Sequence, residues 1–77
     1  MNPETKKIRQ YLKTCSRKEF ERLIYEGKLT PIEQQAIQYA ILYSRTNEET
    51  ADSMRCSGRT VSKVMKQAYM KIAKVTR

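Results

Sequence analysis

Arg59, Ser62, Lys63 and Lys66 stand at i, i+3, i+4 and i+7, the spacing that brings side chains to one face of a helix. All four can donate hydrogen bonds, and three carry a positive charge. No acid lies among them; from Arg55 to Arg77 the chain holds seven Lys or Arg and no Asp or Glu. Such a face attracts anions and offers donors to acceptors, which fits a phosphate backbone and the edges of bases. It has no group suited to moving a proton at neutral pH.

Catalytic chemistry finds no other foothold. The chain has no His, no glycine-rich phosphate loop and no paired carboxylates on the basic segment, so a non-enzymatic role is expected. Cys15 and Cys56 are 41 positions apart, with neither metal-ligand spacing nor a His to activate a thiolate. They read as small buried apolar residues. No metal and no cofactor is expected.

The net charge of +8 says less than its distribution. Residues 1–29 carry eight positive and four negative groups, residues 30–54 one positive and four negative, and residues 55–77 seven positive and none negative. A field concentrated on one element is the electrostatic footprint of nucleic-acid binding. A solvated helix face ordinarily mixes both signs, and this one does not.

A basic helix needs a scaffold to present it. With 77 residues, 39% hydrophobic and 31% charged, the chain suits one small globular domain spanning residues 1–77. Only two Gly and two Pro and few β-branched runs point to an all-α fold, a small bundle of about five helices. No apolar stretch approaches the roughly 20 residues of a membrane span, and the polar start does not resemble a signal peptide. A cytoplasmic location and no membrane partner are expected.

Helix starts are written along the chain. Asn2-Pro3 offers a cap with proline at the first helical position, before a stripe of Ile8, Tyr11, Leu12 and Cys15. Ser16 and Glu19 form a capping-box pattern ahead of Phe20, Leu23 and Ile24, with Gly27 placed for a left-handed C-cap. Thr30-Pro31-Ile32-Glu33 is a second box, ahead of Ile32, Ala36, Ile37, Ala40 and Ile41, with an end near Tyr43. Thr46-Asn47-Glu48-Glu49 is a third, opening a short helix to about Arg55 that buries Thr50, Ala51 and Met54. Glu48, Glu49 and Asp52 suit the positive end of that helix dipole. After Cys56-Ser57 a longer helix runs from about Gly58 to Lys74, with Val61, Val64, Met65, Ala68, Ile72 and Val75 inward.

A short helix, a turn of about three residues and a longer basic helix make a helix-turn-helix. Ala51 is small where the two helices cross, Cys56 plugs the turn, and Ser57 caps the second helix and can face a phosphate. Val61 and Val64 anchor the second helix and turn Arg59, Ser62, Lys63 and Lys66 outward, as a helix in the major groove requires.

The stretch from Leu29 to Ile72 resembles region 4 of sigma-70-type RNA polymerase sigma factors. Leu29, Thr30, Pro31 and Glu33 match the family's opening, and Thr46, Glu48, Glu49 and Ala51 match its first helix-turn-helix element. Thr50 stands where Ile or Val is usual, and Cys56, Ser57 and Val61 through Ile72 follow without a gap. The resemblance implies a recognition helix that reads a promoter −35 element and nearby surfaces that touch the RNA polymerase β-flap. It assigns base reading to Gly58, Arg59, Ser62 and Lys63, with Lys66 and Gln67 nearer the backbone; Ser57 and Thr60 complete the expected DNA-contacting set. Gly58 and Ser62 replace arginines common in housekeeping sigma factors, which implies a different target sequence. With no room for the region that melts the −10 element, a free-standing regulator of the phage or mobile-element kind is expected. A LuxR-type output domain is the competing resemblance; the Thr30-to-Thr46 interval is one residue too long for it, and a further helix after the recognition helix is missing.

Double-stranded DNA is thus the expected partner, with RNA polymerase a second. The alternative is an interaction module for polymerase or for a sigma or anti-sigma partner, with DNA contact incidental. In residues 1–28, Lys6, Lys7, Arg9, Lys13, Arg17, Lys18 and Arg22 either extend the DNA track or solvate two helices whose Ile8, Tyr11, Leu12, Phe20, Leu23 and Ile24 complete the core. The second role is expected, and the pattern is compatible with a homodimer as with a monomer.

Overall fold

Hydroxyl caps and left-handed residues divide the chain into five helices in the computed structural model, which describes residues 3–76. They are α1 (Pro3–Thr14), α2 (Arg17–Glu26), α3 (Pro31–Leu42), α4 (Asn47–Met54) and α5 (Gly58–Thr76). Asn2, expected to cap α1, lies outside the described residues. The boxes at Thr30 and Thr46 both form: each threonine hydroxyl accepts the N–H three residues on, while Glu33 and Glu49 accept the threonine N–H in return. The box at Ser16 is only half made. Its hydroxyl accepts the Glu19 N–H, but the Glu19 carboxylate turns to Arg22 instead of back to the cap.

The expected left-handed cap at Gly27 is corrected by one residue. Gly27 is right-handed (φ −72°), and Lys28 takes the left-handed position (φ 54°). The Lys28 N–H reaches the Tyr25 carbonyl and the Leu29 N–H the Ile24 carbonyl, the paired bonds of a Schellman ending. What Gly27 supplies is space: a Cβ there would lie 2.9 Å from the Leu23 carbonyl oxygen and 2.9 Å from Leu29 Cδ1. α4 ends in the same way on Arg55 (φ 56°), with Cys56 bonded to Ala51.

One apolar cluster draws on all five helices. α5 is its axis and packs against each of the other four. Leu23, Ala36, Ile37, Ala68 and Ile72 are sealed completely, and Ile8, Leu12, Phe20 and Ile24 bring the two leading helices into the same core. The expected stripes need correction at several positions. Tyr11 and Ile32 face solvent, at 43% and 56% exposure. Met54, Val64 and Val75 are half-buried at the margin. Tyr69 and Ala73, outside the expected stripe of α5, are core residues, as is Leu29. No described helix is long and apolar enough to cross a membrane.

Cys15 and Cys56 are both half-buried and free, packed against the cluster. Burial, and then the nearby Glu19 carboxylate, raise the Cys15 thiol above its ordinary value. A thiol held protonated is a poor nucleophile, in keeping with a packing role.

Candidate nucleic-acid interface

α4 and α5 meet through the smallest side chains available. Ala51 is buried where they pack, and Thr50 beside it has no exposed surface. The turn is closed by the left-handed Arg55, then by Cys56, half-buried beneath it. Ser57 starts α5: its hydroxyl accepts the Thr60 N–H at 3.2 Å, and its carbonyl accepts the Val61 N–H at 3.1 Å. The Ser57 and Thr60 hydroxyls also share a hydrogen bond of 2.9 Å. The first turn of α5 therefore arrives capped, with its forward N–H groups pointing to solvent.

Behind that turn Val61, Met65, Ala68 and Ile72 are buried, which fixes the rotation of α5 about its axis. Arg59, Lys63, Lys66, Met70 and Lys74, in steps of three and four, form one exposed line on its outer side. None of the four cations on this line has a carboxylate partner among the described residues. The leading helices leave it open.

Of the residues expected at the interface, Ser57, Arg59, Thr60, Ser62, Lys63, Lys66 and Gln67 are all exposed, and Gly58 is half-exposed. They share one side and one end of α5. A Cβ on Gly58 would meet nothing within 4 Å, so the fold does not require glycine there. Ser62 accepts a hydrogen bond from the Asn47 side-chain amide at 3.2 Å, which couples it to the first turn of α4. Asn47 was expected only as part of a cap; no short-range pattern reports a contact 15 residues away.

Lys71 belongs to the basic run but not to this face. Its Nζ lies 2.6 Å from Glu33 Oε1. Glu33 is buried, and burial alone would raise its carboxyl. The hydrogen bonds from Lys71 and from the Thr30 backbone and hydroxyl outweigh that and hold it below its ordinary value. The pair ties the start of α3 to the far part of α5. Glu49 is likewise held low, chiefly by the Thr46 N–H.

A short α4, a capped turn and an outward basic α5 on a buried backing define a helix-turn-helix domain of the DNA-binding class. Residues 27–74 match the family model for sigma-70, region 4. That span is well over half of the chain, which belongs to this family and carries its DNA-binding, transcription-related fold. The interval from Thr30 to Thr46 and the unbroken run into α5 both lie within the match. In the same comparisons no curated protein and no solved structure matches the chain. Residues 3–26, comprising α1 and α2, fall outside the family match.

Proposed function

We propose that this chain is a sequence-specific transcription regulator that lays α5 in the major groove of double-stranded DNA. Arg59 and Lys63 reach base edges, Ser62 donates its free O–H nearby, and Gly58 lets the backbone come close. Ser57, Thr60, Lys66 and Gln67 hold the flanking phosphates. The observation that carries this reading is the exposed line of Arg59, Lys63 and Lys66, unpaired on a helix whose opposite side is locked into the core. An unpaired row of cations repels itself unless an anion covers it.

Selection of bound duplexes from a random pool tests the proposal directly. An enriched motif is expected, and on it Arg59→Ala costs about 1–3 kcal/mol and relaxes preference at one position. Lys66→Ala weakens all duplexes alike and lowers the salt slope by about one. No enrichment, or an enriched duplex indifferent to both changes, rejects the assignment.

A second reading rests on the family and on Tyr25, Ile32 and Met70, large apolar side chains left exposed. Sigma region 4 domains also bind RNA polymerase, and these side chains offer contact area for it. Capture of the polymerase β-flap by a chain carrying Arg59→Ala and Lys63→Ala, with no duplex preference in the unaltered chain, would make protein binding the main activity.

A further inference from the structure

A cleft of about 740 Å³ lies beside the basic line and shares Lys66 with it. α1 forms one wall, the start of α4 a second, and α5 the floor. Arg9, Arg45 and Lys66 bring three positive charges to it, and none of its lining residues is Asp or Glu. Thr46 and Asn47 line it at the start of α4, where the Glu49 carboxylate already takes the Thr46 N–H, so the positive charge of the cleft comes from its three side chains.

Two further observations show a site with donors to spare. Tyr69 lines the cleft and is only 3% exposed, yet its hydroxyl has no hydrogen-bond partner. Arg9 Nε is also buried without one. Buried donors are almost always satisfied, and two orphans together at one cationic cleft call for an acceptor from outside. A tetrahedral oxyanion has enough oxygens to serve both. Arg45 stands at the rim, its guanidinium bonded to Ser53 at 2.8 Å and lying over the Tyr39 ring. Arg9 is the more available anchor.

We propose that this cleft seats a phosphate of the DNA backbone, with Arg9 and Tyr69 its donors from below and Lys66 closing one side. The DNA-binding surface then extends beyond the helix-turn-helix onto α1, which the family match does not reach. This rests on the duplex-binding reading above, and it gives Arg9 a role beyond keeping α1 soluble.

The test uses the full chain and its selected duplex, titrated across a salt series. Arg9→Gln should weaken binding roughly three- to tenfold and lower the slope of log affinity against log salt by about one, without changing which duplexes are preferred. A scan of neutral methylphosphonate linkages supplies the partner measurement: one linkage that weakens the unaltered chain should have no effect on Arg9→Gln. Lys63→Ala serves as the reference for the recognition helix. If Lys63→Ala weakens binding while Arg9→Gln leaves affinity and slope unchanged, the cleft is not a phosphate site and the recognition helix stands. If the unaltered chain prefers no duplex, both readings fall.

Should Arg9→Gln fail to fold by thermal unfolding, Arg9→Lys keeps the charge and loses the planar fork. It should then retain the salt slope but lose the coupling to the neutral linkage; full coupling would overturn the proposal. Replacing chloride by inorganic phosphate at equal ionic strength separates the sources of the anion. Equal affinity in both salts assigns the cleft to the polymer backbone, and a loss specific to phosphate and absent in Arg9→Gln means that the free ion enters it too. A phosphate-specific loss that persists in Arg9→Gln places the anion elsewhere and counts against the cleft.

Discussion

Thr50→Val should make the protein more stable. Thr50 has no exposed surface, and its hydroxyl oxygen finds no hydrogen-bond partner between α4 and α5. A buried hydroxyl without a partner forgoes its bonds to water, at a cost of about 1–3 kcal/mol. Valine keeps the branched shape, replaces the hydroxyl by a methyl, and differs from threonine in helix propensity by only a few tenths of a kcal/mol. A gain of about 1–2 kcal/mol follows. In a domain of this size 1 kcal/mol moves the midpoint by about 4–8 °C, so thermal unfolding followed by circular dichroism resolves it easily. Thr50→Ser retains the hydroxyl and deletes the methyl, and it should lose stability. Because the side chain is sealed inside, neither change should alter duplex affinity at a temperature where both variants are folded. A lower or unchanged midpoint for Thr50→Val would refute the reasoning. It would mean that the hydroxyl is satisfied after all.

Three other changes follow from the same bookkeeping of partners and space. Lys71→Met strands the buried Glu33 carboxylate and should cost about 1–3 kcal/mol in urea unfolding, less than for a sealed pair because the Lys71 side chain is 37% exposed. Since Glu33 titrates lower in the folded chain than in the unfolded one, its contribution is complete above the ordinary glutamate range. It is lost as pH falls through the folded value, so unfolding measured from pH 7 down to pH 3 should lose this component in the unaltered chain and show less of it in Lys71→Met. Gly27→Ala should destabilise by about 1–3 kcal/mol, because its Cβ would meet a backbone carbonyl and Leu29 at 2.9 Å. Lys28→Gly, at the neighbouring left-handed position, should stabilise by up to about 1 kcal/mol, and an unchanged midpoint would show that Lys28 bears no strain.

The two boxes at Thr30 and Thr46 were legible because a capping box is local: four residues hold both donors and both acceptors. The apolar periodicity of α5 likewise fixed which side faces the core, and hence which cations face out. Periodicity does not say how wide the covered sector is. Tyr69 and Ala73 lie beyond the stripe of Val61, Met65, Ala68 and Ile72, and they are buried because α1 packs against α5. Tyr11 and Ile32 failed for the opposite reason, since they keep the helical spacing but no neighbour covers them. Ser16 and Glu19 have the right spacing for a box, yet Arg22 one turn on competes for the carboxylate. Gly27 is the residue the pattern offers for a left-handed turn, whereas the chain uses Lys28, Ser44 and Arg55 for that and keeps Gly27 for a close approach. The orphaned donors at Arg9 and Tyr69, 60 positions apart on two helices, leave no pattern a sequence could display.

The placement of the acids explains how a chain of net charge +8 keeps its cationic line bare. On α2, Glu19, Glu21 and Glu26 are engaged within their own helix by Arg17 and Arg22. On α4, Glu49 is folded back onto its own cap. Glu33 alone reaches α5 as an ion-pair partner among the described residues, and it meets Lys71, off the exposed line. Glu19, Glu21, Glu26, Glu33 and Glu49 are thus held by helix-start chemistry, by i, i+3 or i, i+4 pairs or by Lys71, and none of them neutralises Arg59, Lys63, Lys66 or Lys74. Were α5 simply a solvated helix, pairs of mixed sign along its outer face would cost nothing and add a few tenths of a kcal/mol each. Their absence there, in a chain that builds them on α2, is better explained by an anion that occupies the face when the protein works.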